Sequence, residues 1–472
     1  MIEFLGIPYA QPPVGELRFR RARKAEPWTE IFDAKEYGNS PVQFNDGQNM
    51  GKEDCLTVNV QRPKEGKDLP VFIYIYGGGY NIGSSADDMY NGSAFVADGI
   101  LFFSFNYRLN VLGFYDFTTY PGGERFDSNC GVSDQLCALE WIHDNIPAFG
   151  GDLSRVTICG ESAGGASVIN MLAAPRAKGL FTQAIVESGL PNCIMSHEMA
   201  RENIDLYLEG MGMTEEDVPK LLTMDPYAML PGNEYMAKKH QYKNPGIFLP
   251  SPIQDDLLPV RPIDAIRGGS ASGVKLIIGT NLHEGTTFVH EENTGFPNSW
   301  EMVEEMFQKN GYDKSYPVVR SFYEAAAKWE DPFMQFATDY AFEVPALKVA
   351  AGQKHYTDDV WVYRYELVTK SGEASGMKAS HAFELPAVFV KRDHVFGQFV
   401  FGDEPDEVFE HIKHDIHDAW TSFIKEGDPG AAWSRYTDAN GSTRIFDRES
   451  STAPIHRQNL MDLWDDMRFY EK

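Results

Sequence analysis

Six times between residues 71 and 365 the chain returns to a short apolar run. The runs are 71–76 (VFIYIY), 101–106, 156–159, 183–187, 275–279 and 360–365. Several have almost no polar alternation, the pattern of strands covered on both faces. Between them the spacing of apolar positions becomes helical, as at 135–142, and a small-residue helical stretch covers 166–174. Alternating β and α elements predict an α/β fold, a mostly parallel central sheet with helices on both faces. Two longer stretches break the alternation. Residues 193–251 read as helical, polar and rich in acidic and Met residues, and 298–353 as helical and amphipathic. No Pro- or Ser-rich linker sets either apart. The expectation is therefore one domain over 1–472, with both stretches as insertions on strand ends that roof a site.

Composition narrows the function classes. The chain has 472 residues, 43% hydrophobic and 13% aromatic, ample for a large core. Its net charge of −27, from 42 basic and 69 acidic residues, argues against nucleic acid and anionic membrane surfaces as partners. No apolar run reaches the length of a membrane span. The first residues, MIEFLGIPY, lack the basic start and long apolar core of a signal peptide. The cysteines, Cys55, Cys130, Cys137, Cys159 and Cys193, are odd in number and without metal-site spacing. A reducing, cytoplasmic setting is expected, with a secreted form trimmed of its leader as the alternative. Oligomeric state is not legible.

The candidate chemistry starts at Gly160-Glu161-Ser162-Ala163-Gly164, a G-x-S-x-G stretch between a strand and a helical run. That setting turns a serine Oγ away from the strand end as a nucleophile. The Ala163 N–H then opens the helix and can face a developing oxyanion. Upstream, Gly77-Gly78-Gly79 directly follow the strand 71–76, and Gly78 and Gly79 are the further expected oxyanion donors. A serine needs a base, and the base needs an orienting group. The strand at 275 runs into a loop carrying Glu284, the expected acid; His283 precedes it and breaks the Ser–acid–His order. The base lies among His290, His355, His381, His394, His411, His414, His417 and His456. His381, in the loop Ser380-His381-Ala382-Phe383-Glu384 after the strand 360–365, can reach over the sheet end. The run His411, His414, His417 hints at a metal. At helical spacing of three, however, the rings drift around the axis, and a solvated helix face is expected. No metal or organic cofactor is called for.

Together these residues resemble the type-B carboxylesterase and lipase family, which includes the cholinesterases. The resemblance runs from FLGIPYAQPPVGELRF at 4–19, through Glu53-Asp54-Cys55-Leu56, Asn106-Tyr107-Arg108, Asp134-Gln135 and FGGD at 149–152, to GESAGGAS at 160–167 and WTSFIKEGDP at 420–429. It implies an α/β-hydrolase fold, small-molecule ester substrates and an acyl-enzyme route. It also implies Ser162 as nucleophile, Glu284 as acid and His381 as base. Two buried ion pairs are implied, Arg18 with Glu53 and Arg108 with Asp134. The family's cysteine at the position of Cys55 pairs upstream, but 39–43 holds no cysteine, so Cys55 is expected to be free. The loop that bond would close is short and polar here (Gln43, Asn45, Asp46, Gly47, Gln48). It lacks both the apolar flap of an interfacial lipase and the tryptophan that stacks on choline. Lipase action on longer acyl chains remains the alternative, with a non-catalytic adhesion role a distant third. Tyr80, Leu190, Phe288 and Phe389 neighbour the catalytic segments and are expected to line the pocket, core packing being the equal alternative.

Overall fold

The protein is described here by a computed structural model covering residues 1–246, 249–289, 296–325, 331–437, 439, 441–455, 458–464 and 467–470. Its strands, in chain order, are β1 (Ile2–Pro8), β2 (Gln43–Asn45), β3 (Gln48–Met50), β4 (Thr57–Arg62), β5 (Leu69–Ile75), β6 (Leu101–Phe105), β7 (Gly151–Glu161), β8 (Gln183–Glu187), β9 (Lys275–Asn281), β10 (Val360–Tyr365), β11 (Ser442–Phe446) and β12 (Ser451–Pro454). Ten of these form one sheet in the order β1-β4-β6-β5-β7-β8-β9-β10-β11-β12, while β2 and β3 make a separate hairpin. From β6 to β11 every neighbour is parallel. The antiparallel pairs lie at the two ends.

All six expected strands form, and they are the parallel centre of the sheet. Helices cover both of its faces. Val186 lies on the side of helix Ala163–Ala173, where a Cβ on Gly189 would come 2.7 Å from Val186 and 3.0 Å from Ile169. Its neighbour Glu187 faces the opposite helix Asp406–Glu426, whose Trp420 Nε1 donates to it at 2.8 Å. The strands near the end of the sheet escape the pattern for a physical reason. In β4 the apolar run is broken by Asn59 and Gln61, both buried and both hydrogen bonded, to Gly6 N, Ser85, Glu3 and Gly92 N.

Residues 193–251 lie between β8 and β9 and carry helices His197–Gly210 and Pro231–Lys243. They bring their own apolar cluster, in which Tyr207, Val218, Leu221 and Met229 bury against Phe19 and Phe117. Residues 298–353 lie between β9 and β10; a π-helical turn, Thr338–Glu343, joins helices Pro332–Ala337 and Val344–Lys354. The polar loop before Glu53 is the β2–β3 hairpin, and it is not wholly polar, because Phe44 and Met50 are exposed on it.

Both implied ion pairs are present. Arg18 meets Glu53 through two nitrogens, at 2.6 and 2.5 Å, and its Nη1 donates to Leu221 O and Met224 O, tying residues 193–251 to the N-terminal segment. Arg108 meets Asp134 at 2.8 and 2.7 Å with both side chains buried. Asp134→Ala would leave a buried guanidinium uncompensated and should cost about 3–5 kcal/mol. Urea unfolding checks this; a loss below about 1 kcal/mol would contradict it. Cys55, Cys130, Cys137 and Cys159 are free thiols. Among the described residues no helix is long and apolar enough to cross a membrane.

Candidate active site

β7 ends at Glu161, helix Ala163–Ala173 begins at Ala163, and Ser162 is the whole connection. Its φ of 59° and ψ of −123° are unfavourable for a residue with a side chain. The surroundings hold it there. Ser162 N donates to Glu187 O at 3.0 Å, and Ala166 N donates to Ser162 O at 2.8 Å. The flanking glycines are required by close approach: a Cβ on Gly160 would lie 2.5 Å from the Gly164 carbonyl carbon, and one on Gly164 would lie 2.0 Å from Ile75 O.

The glycine turn at the end of β5 lies against this elbow. A Cβ on Gly77 would fall 2.6 Å from Glu161 O and 3.1 Å from Ser162 Cβ. Gly78 and Gly79 have φ of 104° and 61°, conformations that glycine adopts freely. Asn81 N and Ile82 N both donate to Gly78 O at 3.1 Å and close the turn. Tyr76 anchors its base by stacking on Tyr107 at 4.6 Å; Tyr107 OH donates to Tyr76 O at 2.8 Å. Gly77 thus brings the turn against Ser162, whose other neighbour Ala163 opens the helix.

Glu284 lies just past the carboxyl end of β9 and is fully buried. Its Oε1 accepts from Asn281 N at 2.7 Å and Ser188 Oγ at 2.6 Å; its Oε2 meets His381 Nδ1 at 2.5 Å. The loop carrying His381 is pinned to β9, since Asn281 Nδ2 donates to Ser380 O and to Glu384 Oε2, at 2.5 and 2.6 Å. His381 Nε2 sits 3.0 Å from Glu161 Oε1, close enough for strong charge attraction but misaligned for a hydrogen bond. Among the described residues Ser162 Oγ and His381 share no hydrogen bond. Such contacts are commonly loose without substrate and tighten when it binds.

Burial alone would lower the His381 pKa, but Glu161 and Glu284 outweigh it and hold the imidazole well above its ordinary value. Two further carboxyls lie behind the site. Burial pushes Glu187 up to about 8, against the Trp420 hydrogen bond and with help from Glu161. Glu384 is raised well above the carboxylate range by burial, then by Glu161, Glu187 and Glu284.

The expected acid and histidine thus meet, His381 lies against Glu161 next to Ser162, and the glycine turn touches the elbow. Glu161, Ser188 and Glu384 were not singled out, though each lies within five residues of an expected site residue or at the end of β8 beside it. Phe342 was also missed. It stands far off in sequence, and its ring reaches His381 at 5.2 Å from the π-helical turn.

Of the four expected lining residues, Phe288 packs on His381 at 4.9 Å and on Phe342 at 5.6 Å. Leu190 borders a narrow crevice with Phe296 and Tyr340. Tyr80 sits behind the glycine turn, its ring 4.3 Å from Phe114 and its hydroxyl 3.2 Å from Ser167 Oγ. Phe389 is a core residue, packed on Tyr74 at 4.8 Å and Phe95 at 5.6 Å. The short helix Leu385–Val388 carries it from the His381 loop into the aromatic layer on one sheet face.

Among the other histidines, His283 accepts from Ala379 N at 3.3 Å, and burial pulls its pKa down to about 4. His394 caps helix Val395–Phe401. His355, His411 and His414 are exposed or half-exposed; His290 and His456 lie outside the described residues. His417 departs from the expected solvated face. It is buried, its Nδ1 donating to Val388 O at 2.6 Å and its Nε2 meeting Asp98 at 2.8 Å, so both nitrogens are satisfied inside the protein.

The same architecture recurs in known proteins. The model of the Carboxylesterase family matches residues 1–464. Para-nitrobenzyl esterase of Bacillus subtilis (strain 168) is 34% identical over 456 residues, covering 94% of this chain and 91% of that protein. Phenmedipham hydrolase of Pseudarthrobacter oxydans is 31% identical, covering 90% and 86%. The solved structure of a thermophilic PNB esterase superposes with a TM-score of 0.87 at 32% identity, covering 98% of this chain and 95% of that one. With sheet, elbow and sequence shared over almost its whole length, this chain has the α/β-hydrolase fold and belongs to the carboxylesterase family, as a carboxylic ester hydrolase.

Proposed function

We propose that Ser162, His381 and Glu284 form the catalytic triad, with Gly78 N, Gly79 N and Ala163 N as the oxyanion hole. The Glu284–His381 bond at 2.5 Å, at the mouth of the strained Ser162 elbow, carries this reading. His381 takes the Ser162 proton as Oγ attacks the ester carbonyl carbon. Glu284 keeps the proton on Nδ1 and stabilises the imidazolium. The carbonyl oxygen, now negative, is held by the three N–H groups; losing one such donor typically costs about 3–4 kcal/mol of transition-state stabilisation. His381 then gives its proton to the departing alcohol, and water deacylates the serine by the same route.

The base must be neutral to act, so activity should rise with pH through the His381 pKa, which its two carboxylates hold above the ordinary value. Glu161→Gln removes one of them. The acid limb of the kcat/KM profile should then move to lower pH, and an unmoved limb would show that Glu161 does not tune the base.

The substrates are small to medium-sized esters. Their support is the short β2–β3 hairpin, where an interfacial lipase would need a long apolar flap. Hydrolysis of p-nitrophenyl esters should be fastest at short acyl length. Activity rising steeply on emulsified long-chain triglyceride would overturn this. The free thiols support a reducing compartment.

A further inference from the structure

Beside the glycine turn a cavity of about 1040 Å³, counting the solvent at its mouth, opens between the β2–β3 hairpin and helix Pro231–Lys243. Asn81, two residues past Gly79, forms part of its wall, and its N donates to Gly78 O at 3.1 Å, which ties the cavity to the glycine turn. The hairpin contributes Phe44 and Asn49, which are direct cross-strand partners and so share one face. The helix contributes Asn233, and Tyr227 adds a ring.

The polar groups here are mainly carboxamides, each carrying a donor and an acceptor but no charge. Asn81 Nδ2 is committed to Leu249 O at 3.1 Å, and Tyr227 OH to Gly51 O at 2.6 Å, so these side chains are fixed in place. Asn233 Oδ1 is buried yet accepts no hydrogen bond among the described residues. A buried amide oxygen without a donor is rare, and a turn of the side chain toward the cavity would let a ligand hydroxyl satisfy it. The single carboxylate on the wall, Glu234, is engaged by Lys238 at 2.6 Å, which weakens the case for a cationic ligand. Leu230 and Pro231 supply apolar surface between the amides.

Aromatic rings and apolar surface interleaved with neutral amides match a molecule with C–H faces and hydroxyls together. We infer that this cavity binds the polyol part of the ester, and that acylated sugars or sugar-like polyols are the preferred substrate class. The inference rests on the hydrolase reading above and deepens it.

The test compares kcat/KM for methyl 6-O-acetylglucoside, hexyl acetate, acetylcholine and p-nitrophenyl acetate. The wild-type enzyme should favour the sugar acetate over hexyl acetate by about tenfold. Asn233→Leu and Asn49→Ala should each lower the sugar ester's kcat/KM by about threefold to tenfold, the worth of one hydrogen bond. Both should leave p-nitrophenyl acetate within twofold. Asn49 is on the exposed hairpin, so its variant reads the cavity even if Asn233→Leu fails to fold. Preference for hexyl acetate or acetylcholine, or equal loss on all substrates, would overturn the inference. Wild-type protein inert on p-nitrophenyl acetate would instead overturn the hydrolase reading.

Discussion

Ser162→Ala should lower kcat on p-nitrophenyl acetate by about a hundred-thousandfold or more, the scale seen when a triad nucleophile is removed. The loss is that large because no other group can form the acyl-enzyme. It is not total, since oxyanion donors and substrate binding alone still accelerate hydrolysis by water about 10³–10⁴-fold. The fold should survive. The two backbone bonds that hold the elbow, Ser162 N to Glu187 O and Ala166 N to Ser162 O, do not involve the side chain. Steady-state assay together with a urea melt separates the outcomes, and near-normal turnover would place the nucleophile elsewhere.

Glu284→Gln should cost about 10⁴-fold in kcat with little change in fold. The carboxylate accepts three hydrogen bonds, from Asn281 N, Ser188 Oγ and His381 Nδ1. A glutamine has one oxygen and one NH2 in their place. If its oxygen faces Asn281 and Ser188, its NH2 faces Nδ1 and forces the proton onto Nε2, where it blocks the base. If it flips, the NH2 meets two donors and the local network is lost. A loss smaller than tenfold would mean that another group orients His381.

Much of the candidate site was legible because its residues sit on short motifs tied to strand ends. The apolar strand 71–76 located the glycine turn, 156–159 located the elbow, and 275–279 led to Glu284. The order serine, acid, histidine singled out Glu284 over its neighbour His283, which the structure turns toward Ala379 N. His381 needed more, because a lone histidine in a loop carries no pattern of its own; only the resemblance of the flanking residues chose it. What stayed hidden depended on three-dimensional neighbours. Phe342 reaches His381 through a π-helical turn whose register no hydrophobic period reveals. Adjacency left Phe389 between pocket wall and core, and a single short helix carries it into the core. His417 shared its spacing with two exposed histidines, and only the positions of Val388 O and Asp98 decide that it is buried. Polar strands such as β4 are equally silent, since their buried Asn59 and Gln61 are satisfied by partners distant in sequence.

The central claim is that Ser162 is the nucleophile that becomes acylated. A fluorophosphonate probe forms a stable adduct with an activated serine, and peptide mass spectrometry locates it. One adduct per chain on the peptide containing Ser162, absent from Ser162→Ala, is the expected result. An adduct on another residue, or labelling that persists in that variant, would contradict it.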